Sequence, residues 1–428
     1  MTSPANKSQS LFDTWTATLT EKGSILAYFV IPILSTLFFI EAFRIYVPGM
    51  YIAMFHVVFQ DPGWMGSLLT LLTLLLLFLP LFTSRLCKIF GQEKIYLLSI
   101  VTMAITRLLI ACHLSSLLDT VLAALLLAFY AMFASIFLKR LVQNNLNMDL
   151  KAKISVFTVS FITAFLLDHL IRTIGFSSDI SLVPIHLNPE LWVFLQYLWL
   201  FVQIPLSVLL IWSSIRTKSI IFPTEPAQEP EDCRNEPWIL NALGLGMFLF
   251  LLFNVFLYPS AIAEYTDTQY AIINPILISA ITLVLLYLLF GKERMLYNFR
   301  INLCFNLVLI LALATFLFFN AVLALPTAIL MALSVGIMYL NAHLLILNMS
   351  ITKKPGNQLK SLSKLFSYGF LFLILMTFLH DFTTDHAFTI SAFQGMGPHI
   401  LLIGGFILLV MTLLAHLQLK TFEEGRSG

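Results

Sequence analysis

Residues 68–82 read LLTLLTLLLLFLPLF, and residues 83–94 continue TSRLCKIFGQEK. The first stretch carries no formal charge, and the second returns at once to Arg85, Lys88 and Lys94. A membrane-spanning helix needs roughly 20 predominantly apolar residues. Lipid offers the backbone no hydrogen-bond partner, so a spanning segment is a helix or part of a closed barrel. The pair of stretches therefore reads as a membrane helix that ends in a basic, water-facing turn.

The same alternation of long apolar runs and short charged turns fills the chain. Of its 428 residues, 59% are hydrophobic and only 11% are charged, against roughly 25% charged in soluble domains. A soluble globule cannot bury that much apolar surface, so the sequence is that of an all-α integral membrane protein. The predicted spans are 25–45, 63–84, 95–114, 119–138, 154–174, 191–214, 238–259, 270–290, 301–323, 326–348, 363–380 and 398–418. The first apolar run exceeds a signal-peptide core and has no cleavage site, so it is expected to stay as the first helix. Residues 45–60 extend that helix outward or lie along the interface; Pro48 and Gly49 break it.

Charge sets the orientation. With the N-terminus inside, all but three of the 24 Lys and Arg residues fall on the cytoplasmic side, the exceptions being Arg44, Arg107 and Arg172. The outer loops hold acids instead, such as Asp61, Asp179, Glu190, Asp267 and Asp385. This is the positive-inside asymmetry of a plasma or inner membrane protein with both termini cytoplasmic. The net charge of +2 is not gathered into a basic run with interleaved aromatics, so nucleic acid is not an expected partner. Cys87, Cys112, Cys233 and Cys304 are scattered, with neither metal spacing nor a disulfide pattern.

The one long polar stretch, 217–237, holds Pro223, Pro226, Pro230 and Pro237 and five acids between Glu225 and Glu236. It reads as a flexible cytoplasmic linker between two halves. The expected organisation is an N-terminal tail 1–22, a six-helix bundle 23–216, the linker 217–237, a second six-helix bundle 238–419, and a tail 420–428. An internal echo supports two parallel halves. Phe90-Gly91-Gln92-Glu93-Lys94 follows the second span, and Phe290-Gly291-Lys292-Glu293-Arg294 follows the eighth.

Two six-helix halves, a long central cytoplasmic loop and Gly/basic turns after helices 2 and 8 resemble the major facilitator superfamily. The resemblance implies a twelve-helix secondary transporter that works by alternating access. The turn 83–91 lacks the early Gly and Asp usual in that family. A fainter similarity lies in Phe39-Ile40-Glu41-Ala42-Phe43-Arg44, Thr106-Arg107-Leu108 and Asp168-His169-Leu170-Ile171-Arg172. These look like multi-pass domains joined to endonuclease/exonuclease/phosphatase-type hydrolases, which in fungi include remodellers of GPI-anchor lipids. No hydrolase domain is expected after the last span, so no hydrolase activity is carried over.

Five ionisable residues fall at membrane depth: Glu41 and Arg44, Arg107, Asp168 and Arg172. Each such group costs roughly 2.5–3.5 kcal/mol on insertion scales and so needs a partner or a wet cavity. Glu41 and Arg44 share one helix face, as do Asp168 and Arg172. At about 1.5 Å per residue, all five fall in the outer half of the bilayer. They are the candidate substrate-binding residues. Arg107 has no acid on its own helix face, so its partner comes from another helix or from a ligand. One positive charge is left over, and an Arg fork matches a carboxylate or phosphate. The competing readings are an ion-pair network that locks the helices, and proton carriage by Asp168 or Glu41.

The second half offers amides and a histidine, Asn254, Asn274, Asn306, Asn320, Asn341 and His343, which read as interhelical glue. His380 and His386 flank Asp381 and Asp385 in an outer loop, too exposed to suggest a metal. Pro80, Pro205, Pro275 and Gly404-Gly405 mark kinks or close packing. There is no P-loop, nucleophile elbow or zinc motif. Asp168 and His169 point about 100° apart on a helix, so they make no dyad. No enzymatic activity and no cofactor are expected. The expected function is a permease for a small organic anion or amphiphile. The alternatives are a lipid-handling protein that recognises an anionic headgroup, and a non-transporting membrane scaffold.

The topology has a direct check. Reporters fused after Lys218 or Lys354 are expected in the cytoplasm, and one inserted at Thr384 outside. Opposite labelling at any of the three sites contradicts the twelve-span scheme.

Overall fold

The protein is described from a computed structural model. The described residues are 25–42, 45–46, 63–112, 116–143 and 189–222, with 160, 163–164, 167–168, 359–360, 362–364, 366–367 and 410. They are helical throughout, without a strand among them. The elements are α1 (Leu26–Ala42), α2 (Gly63–Phe78), a 3-10 turn (Leu79–Phe82), α3 (Thr83–Phe90), α4 (Gln92–Ala111), α5 (Ser116–Gln143), α6 (Pro189–Arg216) and the short α7 (Lys218–Ile221). Stretches Leu71–Phe90, Gln92–Ala111 and Leu118–Leu141 are long and apolar enough to cross a membrane.

Proline chemistry shapes α1 and the second span. Pro32 has no N–H to give to the Tyr28 carbonyl one turn back. The helix widens into a π turn at Leu26–Val30, and Ser160 Oγ of the fifth span donates to the Tyr28 carbonyl at 3.3 Å. A backbone group orphaned by proline thus ties two spans together. Pro80 acts likewise: the helix tightens to a 3-10 turn at Leu79–Phe82, and Thr83 Oγ1 donates to the Pro80 carbonyl. The helix then runs on to Phe90, six residues past the predicted end of the span at 84, because Arg85 and Lys88 lie on its exposed face while Cys87 is buried.

α5 is the most buried of the long spans and Leu71–Phe90 the least. The reason is side-chain size. Ala123, Ala124, Ala128, Ala131, Ala134 and Ser135 let neighbouring helices close on α5. Tyr130 is its hub. Its ring stacks on Phe39 of α1 at 4.3 Å and 21°, and its hydroxyl meets Thr36 Oγ1 at 3.2 Å. Phe366, from the second half, meets the same ring edge-on at 6.3 Å. Leu359, Leu362, Ser363 and Ser367 of the same segment are buried as well.

The end of the bundle formed by the start of α4 and the end of α6 is closed by α7. Residues 217–222, assigned to the linker from sequence, are docked rather than free. Ile221 is buried, the Phe222 ring meets Tyr96 edge-on at 5.3 Å, and the Arg140 guanidinium lies 4.8 Å over the Phe222 ring. Lys218 pairs with Glu93 in the first turn of α4. The polar part of the linker, 223–237, lies outside the described residues.

Gly91 makes the turn between α3 and α4. Its backbone has φ +89° and ψ 145°, a conformation almost confined to glycine, and its N–H donates to the Cys87 carbonyl at 3.0 Å. A Cβ there would meet nothing within 4 Å. The penalty of Gly91→Ala is therefore all backbone, about 1–3 kcal/mol. Thermal melting in detergent should show this loss, and a melting temperature equal to wild type contradicts the strained-turn reading.

Candidate functional site: a buried ion pair

α4 is amphipathic in an inverted sense. Leu98, Ile105 and Leu109 point outward, while Ser99, Met103, Thr106, Arg107 and Ile110 are buried. The inward face receives α5 and α6. Arg107 is 1% exposed, heading the large, fully buried side chains among the described residues. Its Nε forms an ion pair with Glu41 Oε2 on α1, a residue 9% exposed. The sequence left the partner of Arg107 open between another helix and a ligand; the structure supplies Glu41.

The depth follows from the helices. Glu41 stands 15 positions beyond Leu26, and Arg107 stands 15 beyond Gln92. At about 1.5 Å per residue both lie ~22 Å from the N-terminal ends of their helices, which puts them at one level. Phe39, two residues before Glu41 on α1, stacks on Tyr130, so the aromatic contact with Phe366 lies towards the α1 N-terminal side of this level.

Asp168 is 2% exposed. It shares one face of the fifth span with Ser160 and Ala164, at spacings of four residues, and Ser160 is the residue tied to α1. Arg44 and Arg172 lie outside the described residues, as do the amides and histidines of the second half. Of the five candidates, the structure thus brings Glu41 and Arg107 together and buries Asp168.

The pair has defined chemistry. Two opposite charges in contact cost less in lipid than either alone, but removing one strands the other. An ionised carboxylate only accepts hydrogen bonds, and a guanidinium only donates them through five N–H groups. A ligand carboxylate or phosphate can take the place of Glu41 on the same fork. Protonation of Glu41 would weaken its hold on Arg107 and favour that exchange. No group of three or more His, Cys, Asp or Glu suited to a metal occurs among the described residues.

Two polar residues with a place in this geometry were not singled out from sequence. Asp119, near the start of α5, is buried. Gln203 of α6 is fully buried. The signal for Gln203 was present: with Ser207, Ser214 and Thr217 it makes a helical polar stripe through an apolar span.

No protein-family model and no curated protein sequence matches the chain. Solved structures do. The proton:xylose symporter XylE, bound to 6-bromo-6-deoxy-D-glucose, is 14% identical with a TM-score of 0.59, over 93% of this chain and 95% of that one. The E. coli fucose:proton symporter FucP is 11% identical with a TM-score of 0.53, over 91% and 99%. The human organic anion transporter MFSD10 is 12% identical with a TM-score of 0.54, over 91% and 99%. At such identities the likeness establishes architecture, and it runs the length of both partners in each comparison. The chain is a multi-pass membrane protein with the twelve-helix fold of the major facilitator superfamily.

Proposed function

We propose that the chain is a secondary transporter that carries a small organic anion by alternating access, with Arg107 as the anion-binding residue and Glu41 as its resting counter-ion. The observation that carries this reading is the buried Glu41–Arg107 pair inside a major facilitator fold. Charged residues at such depth are costly and mark solute paths more often than lipid contacts. Arg44, Asp168 and Arg172, the other candidates read from the sequence, are assigned to the same proposed site. Similar structures include sugar:proton symporters and an organic anion transporter, which supports solute transport as the class of activity.

A solute fits this chain better than a lipid headgroup. Between Phe201 and Ile215 the exposed side of α6 is apolar, with Phe201, Ile204, Val208, Trp212 and Ile215 exposed, which favours a solute over a headgroup entering across that stretch. The contact of Tyr130 with Phe366 brings together residues assigned to the two proposed halves. In the proposed cycle it parts when the protein opens inward.

Two experiments test the reading. In the first, Arg107→Gln abolishes anion binding and uptake in proteoliposomes, and Arg107→Lys, which keeps charge but not the fork, recovers part. Arg107→Gln also leaves Glu41 buried without its counter-charge, at about 3–5 kcal/mol. The double variant Glu41→Gln/Arg107→Gln should regain melting temperature but not binding. If the double variant regains both, the pair is structural and the anion reading fails.

In the second, Tyr130→Cys and Phe366→Cys are joined by a short bifunctional thiol reagent in a background without Cys87, Cys112, Cys233 and Cys304. Cross-linking should stop uptake, and each single variant should tolerate the reagent. Full uptake by the cross-linked protein contradicts a moving contact between halves.

A further inference from the structure

α6 is built inside out. Its buried face, Gln203, Ser207, Leu210, Ser214 and Thr217, repeats every three or four residues. The hydroxyls on it have acceptors. Ser207 Oγ donates to the Ala104 carbonyl at 3.4 Å, Ser214 Oγ to the Leu210 carbonyl at 2.7 Å, and Thr217 Oγ1 to the Ser213 carbonyl at 2.8 Å. Short hydroxyl side chains can reach a carbonyl one turn back in their own helix. Gln203 carries its amide two methylenes out. It is 0% exposed, and among the described residues neither its Oε1 nor its Nε2 has a hydrogen-bond partner. A buried amide without partners is expensive anywhere and more so in lipid.

Its position gives the amide a use. α6 runs antiparallel to α4: Lys218, just past the end of α6, pairs with Glu93 at the start of α4, and Phe222 meets Tyr96. The contact of Ser207 with Ala104 fixes the register. One turn outward from Ser207 is Gln203, and one turn outward from Ala104 is Arg107. Gln203 and Arg107 therefore share one level on facing helices, and Arg107 brings Glu41 to it.

We propose that Gln203 and the Glu41–Arg107 pair belong to one binding site for a small hydroxylated organic anion, of the 2-hydroxycarboxylate class. The ligand's carboxylate takes the Arg107 fork, and its neighbouring hydroxyl meets the Gln203 amide. A hydroxyl donates one hydrogen bond and accepts others, and a glutamine amide offers a carbonyl acceptor beside an NH2 donor, so the two match in both senses. An acid without the hydroxyl leaves the amide unmatched, and sites built for a hydroxyl reject such analogues strongly. Gln203 is thus a specificity residue that rests on the anion reading above and narrows its substrate class.

The test compares wild type with Gln203→Leu in phosphatidylcholine nanodiscs. Thermal stabilisation is titrated with two matched pairs of acids, propionate against lactate and succinate against malate. Wild type should bind each hydroxy acid at least about tenfold more tightly than its partner. Gln203→Leu should erase that preference, so that lactate and malate bind no more tightly than propionate and succinate. Without ligand, Gln203→Leu should melt at or above wild type, because a matched apolar group replaces an unmatched amide. The proposal is overturned if wild type binds the members of each pair equally while Arg107 still governs both. It is also overturned if Gln203→Leu keeps the preference, or if ligand-free Gln203→Leu melts lower, as an amide serving as helix glue would. If no acid stabilises either protein, the anion reading itself has failed and this proposal falls with it. A Gln203-dependent response only to added phosphatidylglycerol assigns the hydroxylated anion to a lipid headgroup and overturns the soluble ligand.

Discussion

The absence of water from the bilayer core is the constraint on which the rest of this structure depends. Every polar group carried into the core has to find its partner within the protein. Most do so locally. Ser35, Ser99, Ser135, Ser214 and Ser363 each donate to the carbonyl four residues back in their own helix. Where proline removes a backbone donor, a side chain supplies the bond, as Ser160 does for Tyr28. Charge cannot be satisfied this way at little cost, so Glu41 and Arg107 bring α1 and α4 together instead. Helix placement in the first half follows from these pairings as much as from apolar packing.

The same constraint separates glue from function. A hydroxyl bonded to its own helix carries no message beyond its satisfaction. A buried ion pair is different, because each partner can be exchanged for a ligand group of the same charge. In the proposed transport cycle the contact of Tyr130 with Phe366 is where relative motion would change which side reaches the pair.

Much of this was legible in the sequence. Glu41 and Arg107 could both be placed in the outer half of their spans by counting residues from the basic ends, because helix rise is fixed and the positive-inside rule marks the starting points. The turn at Gly91 was legible from its flanking charges and its echo at Gly291. Other features depend on three-dimensional arrangement. Thr217–Phe222 reads as the start of a polar linker, and only the proximity of Tyr96 and Arg140 gives Phe222 a place to dock. The extension of the second span to Phe90 was hidden because Arg85 and Lys88 can face water while Cys87 stays packed. Gln203 was passed over because a single amide in an apolar span usually reads as helix glue.

The most direct measurement of the central claim follows the Glu41 carboxylate itself. Infrared difference spectra of the protein in nanodiscs, recorded on adding a hydroxycarboxylate, can be assigned to Glu41 by their loss in Glu41→Gln. If the ligand takes the place of Glu41 on Arg107, binding should shift the Glu41 carboxylate stretch or replace it with the carbonyl band of the protonated acid. A Glu41 band that stays unchanged while the anion binds would mean that the ion pair never opens, and would contradict the account.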